Sequence, residues 1–377
     1  MHHKICTCNN ISELSSSVTA CTEPEPTLRL ELQRIIETLT APGKGLLACD
    51  ESPTGLEHRF CDIDVENSES ARRDYREMLL STDKLSRYIS GVILHDETIR
   101  QRTSRNVEFV EFLRRRNIVA GVKVDLGLVP LFGTEDEKTT QGLDELREKC
   151  ARYKQAGCHF TKWRCVFSIS EKCPSHLAMI TNANVLARYA SICQGARMVP
   201  IVEPDILTTG DYDINRALRA HQQVLSILFR VLNEHHVYLE GMLLKPAMVL
   251  PGITGTKKYT PQVVARYTLS VLRRTVPVAI PAIFFLSGGQ TDEESATNLN
   301  AINTHDVDKK PWRLSFCYGR ALQNTAMQIW HGDPENVEQA QAKLLERARL
   351  CSEASLGVLQ LERSNMYARN TDTIDIV

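Results

Sequence analysis

The run Val237-Tyr-Leu-Glu-Gly-Met-Leu-Leu-Lys-Pro-Ala-Met-Val249 places one lysine inside a largely apolar stretch. A short apolar run predicts a buried strand, and Lys245 stands at its end. Burial disfavours a charged ammonium, so we expect the pKa of Lys245 to be lowered. A neutral amine attacks carbonyl groups, which makes Schiff-base chemistry the first hypothesis. The alternative is a lysine whose ammonium reaches past the strand end to solvent.

Seven other apolar runs share the form of the run before Lys245. Each is short and is followed by a charged residue, a histidine or a glycine-containing turn. The runs are 45–49, 91–94, 119–122, 160–161, 198–202, 282–286 and 314–318, followed by Asp50, His95, Lys123, Lys162, Glu203, Ser287 and Gly319. Short apolar runs with such boundaries are typical of buried strands in a parallel sheet.

Helix-like segments lie between the later runs. Residues 214–234 repeat apolar side chains at helical spacing. Thr260 is a favourable N-cap followed by proline at the first helical position, which predicts a helix over 261–274. Residues 291–301 carry acidic side chains in their first turn, as the helix dipole prefers. Strands that alternate with helices predict an α/β protein with a parallel sheet.

The number of strand–helix units selects the architecture. Eight units within residues 28–351, with no sequence left for a second domain, predict a single (β/α)8 TIM barrel. A doubly wound sheet is the alternative, but it requires a glycine-rich nucleotide turn after the first strand, and Asp50-Glu-Ser does not supply one. Residues 1–27, rich in serine, threonine and Glu-Pro, are predicted to be a flexible extension.

A barrel brings the C-terminal ends of its strands to one mouth, where the active sites of this fold lie. The charged residues at the run ends would then form one cup. They are Asp50, Lys123, Lys162, Arg164, Glu203, Lys245 and Arg320. Repulsion among the lysines is a second reason to expect a lowered pKa at Lys245. Taken singly, Asp50 is also a favourable helix N-cap, and Glu203 could be a structural ion-pair partner.

The cup has the groups that carbonyl chemistry on a phosphorylated substrate requires. Asp50 and Glu203 are candidates for the general acid and base. The turns 287–289 and 319–320 offer backbone N–H groups that can hold phosphate. Two phosphate sites flanking an amine indicate a small bisphosphorylated carbonyl compound. No set of His, Asp and Glu has the spacing of a metal site, so no catalytic metal is expected.

Bulk composition argues against several classes of function. A net charge of -1 over 377 residues leaves no basic field, so we expect no nucleic-acid or membrane partner. No apolar run has the length of a membrane span, and no signal peptide is indicated. The 12 cysteines are scattered without a CxxC pair, which is typical of reduced thiols and predicts a cytoplasmic protein.

The motifs around these residues resemble those of the class I fructose-bisphosphate aldolases. Nine segments follow one another in family order from about Leu28 to about Cys351. They are 41–52 (APGKGLLACDES), 121–125 (GVKVD), 139–144 (TTQGLD), 162–165 (KWRC), 182–191 (NANVLARYAS), 199–204 (VPIVEP), 238–246 (YLEGMLLKP), 285–290 (FLSGGQ) and 318–322 (YGRAL). Nine ordered motifs of this length are a specific signal.

The resemblance implies roles for residues of the cup. Lys245 would form a Schiff base with the ketose carbonyl, and Glu203 would shuttle protons at the carbinolamine. Asp50 would deprotonate the hydroxyl next to the bond that breaks, while Lys162 would position charge and substrate. The phosphate of the dihydroxyacetone half would bind at Ser287, Gly288, Gly319 and Arg320; the other half would face Lys123, Arg164, Ser52 and Arg59.

The resemblance also implies a reaction and an assembly. The reaction is the reversible cleavage of fructose 1,6-bisphosphate to dihydroxyacetone phosphate and glyceraldehyde 3-phosphate, in glycolysis and gluconeogenesis. It needs no metal or cofactor beyond the covalent Schiff base. The partners would be small sugar phosphates, and the assembly a homotetramer. A C-terminal tail, 352–377, is implied to be mobile over the active site.

Several positions depart from the family pattern near the second phosphate. Gly55 stands where serine is usual, His58 and Leu126 where lysine is frequent, and Asp205 where glutamate is more usual. The chain also ends at Val377 instead of a tyrosine. These departures leave open a weakly active or non-catalytic paralogue that acts as a binding or scaffold protein. A different Schiff-base lyase, such as a transaldolase, would show no dependence on the second phosphate.

Overall fold

The structure, a computed structural model, describes residues 24–305 and 310–360. The strands are β1 Gly45–Cys49, β2 Ile89–Leu94, β3 Val119–Lys123, β4 Leu128–Pro130, β5 Lys138–Thr140, β6 Phe160–Phe167, β7 Val199–Ile206, β8 Leu243–Leu244, β9 Ala282–Phe285 and β10 Arg313–Tyr318. All except β4 and β5, which form an antiparallel hairpin, close into one barrel of parallel strands. The predicted (β/α)8 TIM barrel is confirmed, and the doubly wound alternative is wrong.

Helices surround the barrel. They are α1 Pro26–Leu39, α2 Pro53–Cys61, α3 Glu69–Leu80, α4 Asp96–Arg100, α5 Phe109–Arg115, α6 Leu146–Gln155, α7 His176–Gly195, α8 Ile214–Glu234, α9 Pro261–Thr275, α10 Asp292–Thr304, α11 Arg320–Trp330 and α12 Val337–Ser355. The helix predicted over 214–234 is α8, and the predicted cap Thr260 accepts a hydrogen bond from the Val263 amide at the start of α9. None of the described helices is long and apolar enough to cross a membrane.

The first and last described helices extend beyond the predicted limits of the barrel domain. Helix α1 begins at Pro26, within the predicted extension, and α12 continues to Ser355, beyond the predicted barrel limit at Cys351. The rest of the predicted extension, residues 1–23, and the predicted tail from residue 361 onward lie outside the described residues.

Every second residue of the barrel strands faces the barrel axis. These residues form one interior cluster, which α1 closes from below with Leu32, Ile36 and Leu39. The cluster's strand members are Leu46, Ala48, Ile93, Phe160, Val199, Ile201, Leu243, Ala282, Phe284 and Cys317. The next inward position above Ala48 is Asp50, and those above Phe160, Ile201 and Leu243 are Lys162, Glu203 and Lys245. The strand period therefore brings the predicted polar residues to one mouth.

Three strands differ most in length from the predicted runs. Strands β6 and β7 continue past their polar residues, so Lys162 and Glu203 lie within strands instead of after them. Both strands continue because their residues alternate between the inner and outer faces of the barrel. The outward neighbours Trp163 and Val202 are apolar and pack into the outer core. Strand β8 is shorter, since residues Leu239–Gly241 form a 3-10 turn.

The barrel interior leaves no space beside Gly121. A Cβ there would lie 2.2 Å from the fully buried ring of Phe160. We expect Gly121→Ala to lower the free energy of unfolding by about 2–3 kcal/mol through overpacking, as measured by urea denaturation. Gly195→Ala is the matched control, because a Cβ at this end of α7 meets nothing within 4 Å. Equal destabilisation of the two variants would contradict the prediction.

Candidate active site

A cavity of about 370 Å³ opens at the C-terminal mouth of the barrel. It is lined by Ala48, Asp50, Glu51, Gly55, Arg59, Lys162, Arg164, Glu203, Asp205, Lys245, Leu286, Ser287, Gly288, Cys317, Gly319 and Arg320. Ten of the predicted site residues are among them. The other two, Ser52 and Lys123, do not line the cavity.

Four buried charges form a chain across the cavity floor. Lys162 Nζ lies 2.7 Å from Asp50 Oδ2 and 3.1 Å from Glu203 Oε2. The other oxygen of Glu203, Oε1, lies 3.2 Å from Lys245 Nζ. Positive and negative groups alternate along this chain, so each buried charge has an opposite partner, as burial requires.

The pairing keeps both carboxyl groups ionised. Burial raises the pKa of Asp50, but the charges of Lys162 and Lys245 outweigh it and hold that pKa below its ordinary value. The same balance lowers the pKa of Glu203. Burial lowers the pKa of Lys162, yet Asp50 and Glu203 together raise it above the ordinary lysine value. Asp50 and Glu203 are therefore proton acceptors at neutral pH.

The predicted lowering of the Lys245 pKa is wrong. Burial does lower it, as does repulsion from Lys162, but Cys317 and Glu203 outweigh these effects and the pKa lies above its ordinary value. The pKa of the buried Cys317 thiol is itself raised to about 11, so near neutral pH the stabilising partner is the Glu203 carboxylate. A nucleophilic Lys245 would therefore have to lose its proton within the site, and the Glu203 carboxylate is the group in contact with it.

On one side of the cavity the cations are paired with carboxylates. Arg59 Nη1 lies 2.5 Å from Glu51 Oε1 and also donates to Gln323. Arg164 Nη2 lies 2.6 Å from Asp205 Oδ2. Outside the lining, Lys123 Nζ is similarly 3.1 Å from a carboxylate, Asp125. A phosphate on this side must therefore compete with carboxylates.

Ser52 has a structural partner. Its side chain caps α2 by accepting a hydrogen bond from the Gly55 amide at 3.1 Å. The N-cap of this helix is therefore Ser52, and the alternative of Asp50 as the cap is wrong.

The opposite side of the cavity offers donors without carboxylate partners. Gly319 precedes α11, whose first turn presents backbone N–H groups, and Arg320 has no ion-pair partner among residues 24–305 and 310–360. The neighbouring turn at Ser287 and Gly288 continues into Gly289, which has φ +74°. A Cβ on Gly289 would lie 2.2 Å from Thr208 Oγ1, so this turn requires glycine. These groups can hold an anion.

Sequence reasoning missed several lining residues. Cys317 and Ala48 could have been found, because they are inward positions of β10 and β1 by the period of two. Glu51 had no signal, since its pairing with Arg59 depends on the first turn of α2. Gly55 and Asp205 stand out in the sequence only as departures from the family pattern. Within the described part of the chain, no group of three or more His, Cys, Asp and Glu side chains could hold a metal ion.

Comparison with known proteins agrees with this geometry. The family model described as fructose-bisphosphate aldolase class-I matches residues 31–374. A fructose-bisphosphate aldolase of Echinococcus multilocularis is 54% identical over 333 residues, covering 88% of this chain and 92% of the relative. The Drosophila melanogaster fructose-bisphosphate aldolase is 51% identical over 335 residues, covering 89% and 92%.

A solved structure is also similar. It is the fructose-bisphosphate aldolase of Plasmodium falciparum, crystallised with TRAP and a small-molecule inhibitor, and it superposes with a TM-score of 0.88 at 45% identity. The match covers 90% of this chain and 98% of that one. The motifs, the barrel and these matches agree, and the chain belongs to the class I fructose-bisphosphate aldolase family, glycolytic lyases that reversibly cleave fructose 1,6-bisphosphate.

Proposed function

We propose that Lys245 is the Schiff-base nucleophile of this aldolase and that Glu203, Lys162 and Asp50 move the protons of its reaction. The observation that carries the proposal is the chain of contacts from Asp50 through Lys162 and Glu203 to Lys245 Nζ, with steps of 2.7, 3.1 and 3.2 Å. Class I aldolases use a Schiff base instead of a metal, and this chain gives the amine both a proton acceptor and neighbouring charges.

The first half of the reaction is the formation of the iminium. Lys245 transfers a proton to Glu203, and the neutral amine attacks the ketose carbonyl to give a carbinolamine. Glu203 then returns a proton to the carbinolamine hydroxyl, which leaves as water. The burial of both side chains excludes bulk water from these transfers.

The second half breaks the carbon–carbon bond. Asp50 accepts the proton of the hydroxyl on the departing half, the bond breaks, and its electrons pass into the iminium to form an enamine. Lys162, held between both carboxylates, keeps Asp50 ionised until that step. Protonation and hydrolysis of the enamine then release dihydroxyacetone phosphate.

We assign the two phosphates to the two sides of the cavity. Ser287, Gly288, Gly319 and Arg320 hold the phosphate of the dihydroxyacetone half, an assignment supported by the lack of carboxylate partners for these donors in the described part of the chain. Arg59, Arg164, Ser52 and Lys123 face the half released as aldehyde. Lys123 and Ser52 lie beyond the lining and would act at its rim.

Reductive trapping tests the proposal. Borohydride added with dihydroxyacetone phosphate should label one peptide, and the label should map to Lys245. A label elsewhere, or none, would reject the proposed nucleophile. The non-catalytic paralogue is the competing hypothesis, and it predicts negligible cleavage of fructose 1,6-bisphosphate by the folded protein.

The cavity also predicts an effect of Gly55. A Cβ at this position would lie 3.3 Å from Ser52 Oγ and 3.7 Å from Glu51 Cβ, so a serine fits. Gly55→Ser should lower KM for fructose 1,6-bisphosphate by about three- to tenfold, because it adds a donor for a charged phosphate. KM for fructose 1-phosphate should not change. Equal changes for both substrates would show that the serine acts elsewhere.

We infer a homotetramer in the cytoplasm. Four apolar side chains near the β4–β5 hairpin and the start of α7 are exposed: Leu126, Leu128, Phe132 and Leu177. Phe132 is 90% exposed, and such a patch is suited to contact with another copy of the chain. Sedimentation equilibrium should give four times the chain mass, and Phe132→Asp should reduce it. A wild-type monomer would exclude the assembly.

The nine described cysteines are free, which supports a reducing compartment.

A further inference from the structure

His95 is the first residue after β2, and the sequence motifs assign it no role. The inward residues of β2 are Gly91 and Ile93: a Cβ on Gly91 would meet Leu39, Leu46 and Phe160, and Ile93 belongs to the interior cluster. By the strand period of two, His95 is the next inward position and faces the mouth of the barrel.

The strand register identifies the neighbours of His95. Leu94 pairs with Cys49 of β1 on one side and with Val122 of β3 on the other. One residue further along each strand, His95 therefore lies between Asp50 and Lys123. Like Lys123, it lies outside the cavity lining and would act at its rim, on the side assigned above to the departing half of the substrate.

The ring of His95 is held in one tautomer. Its Nδ1 accepts a hydrogen bond from the backbone N–H of Glu97 at 3.2 Å, so the proton of a neutral imidazole is on Nε2. Burial lowers the pKa of His95, as do Lys123 and Arg76, against the opposite effects of Glu97 and Asp50. The ring is therefore neutral at pH 7. Its Nε2–H has no hydrogen-bond partner among the described residues.

A directed N–H donor beside the Lys123 ammonium is a favourable arrangement for an anionic oxygen. The neighbouring side chains are less available to a phosphate than the Nε2–H of His95. Lys123, Arg59 and Arg164 already contact carboxylates, and Gly55 has no side-chain donor. We propose that His95 is a specificity-determining residue whose Nε2–H binds the phosphate of the half released as aldehyde. This proposal rests on the assignment of the two substrate halves above.

Two substitutions separate binding from helix capping. In His95→Asn, the side-chain oxygen replaces Nδ1 and keeps the cap on the Glu97 amide, but the donor at the Nε2 position is lost. In His95→Gln, the amide nitrogen reaches the Nε2 position, but the cap is lost. We expect His95→Asn to raise KM for fructose 1,6-bisphosphate about tenfold with kcat unchanged, and His95→Gln to stay within about twofold of wild type. KM for fructose 1-phosphate should be the same in all three proteins.

Two results would overturn the proposal. One is a His95→Asn variant that is unchanged or equally impaired on both substrates, and the other is a His95→Gln variant that is the worse of the two, as a capping role predicts. A hexitol 1,6-bisphosphate has no carbonyl and is not turned over, so its affinity tests the contact between His95 and the phosphate alone. In His95→Asn this affinity should fall by the same factor of about ten. If borohydride does not trap dihydroxyacetone phosphate on Lys245 of the wild type, the result contradicts the proposed nucleophile and not the role of His95.

Discussion

Replacing Lys245 by methionine should lower kcat for cleavage of fructose 1,6-bisphosphate by at least about 10⁴-fold, because the variant lacks the amine proposed to attack the carbonyl. Methionine is unbranched like lysine and only one heavy atom shorter, so it nearly fills the buried site, where Lys245 is 4% exposed. The loss should therefore come from the chemistry and not from a cavity. A coupled assay for dihydroxyacetone phosphate measures the rate, and borohydride trapping should give no labelled peptide.

The control for this variant is Lys172→Met. Lys172 is an exposed lysine that pairs with Glu135 on the surface, and its replacement should leave kcat and trapping unchanged. Lys245→Met also leaves Glu203 Oε1 without its lysine, so the unfolding midpoint must be measured beside the rate. Turnover within tenfold of wild type in a folded Lys245→Met protein would eliminate Lys245 as the nucleophile.

The barrel could be predicted because its signal is local. Each strand is a short apolar run, and the period of two carries the pattern from core residues such as Ile201 to the polar residue above, Glu203. The same local pattern located most of the cavity lining. Strand length was less predictable: β8 has only two residues, because the segment before it turns at Leu239–Gly241.

The electrostatics could not be predicted from the same patterns. The Lys245 pKa depends on a 3.2 Å contact with Glu203 on the neighbouring strand, a distance that no spacing in the sequence contains. The lysines in the sequence predict repulsion among their ammonium groups, whereas in the fold Lys162 and Lys245 alternate with carboxylates. The pairing of Arg59 with Glu51 and Asn324 is a second case, because it joins α2 to the distant α11.

The second large effect is expected at Asp50. Asp50→Asn keeps the size of the side chain and an oxygen toward Lys162, but it removes the proposed base of the cleavage step. We expect kcat for cleavage to fall by about 10³-fold, within the range for a lost general base. Trapping of dihydroxyacetone phosphate on Lys245 should persist, because the contact between Glu203 and Lys245 does not involve Asp50.

Glu203→Gln provides the contrast, because it should slow trapping itself by removing the proposed acceptor of the Lys245 proton. The pair of variants therefore separates bond cleavage from Schiff-base formation. Asp62→Asn, at an exposed position after α2, controls for the loss of one carboxylate and should change neither rate. If Asp50→Asn and Glu203→Gln lose cleavage and trapping in the same proportion, the four charges act as one unit in forming the iminium, and the separate assignment of Asp50 to the bond-breaking step is wrong.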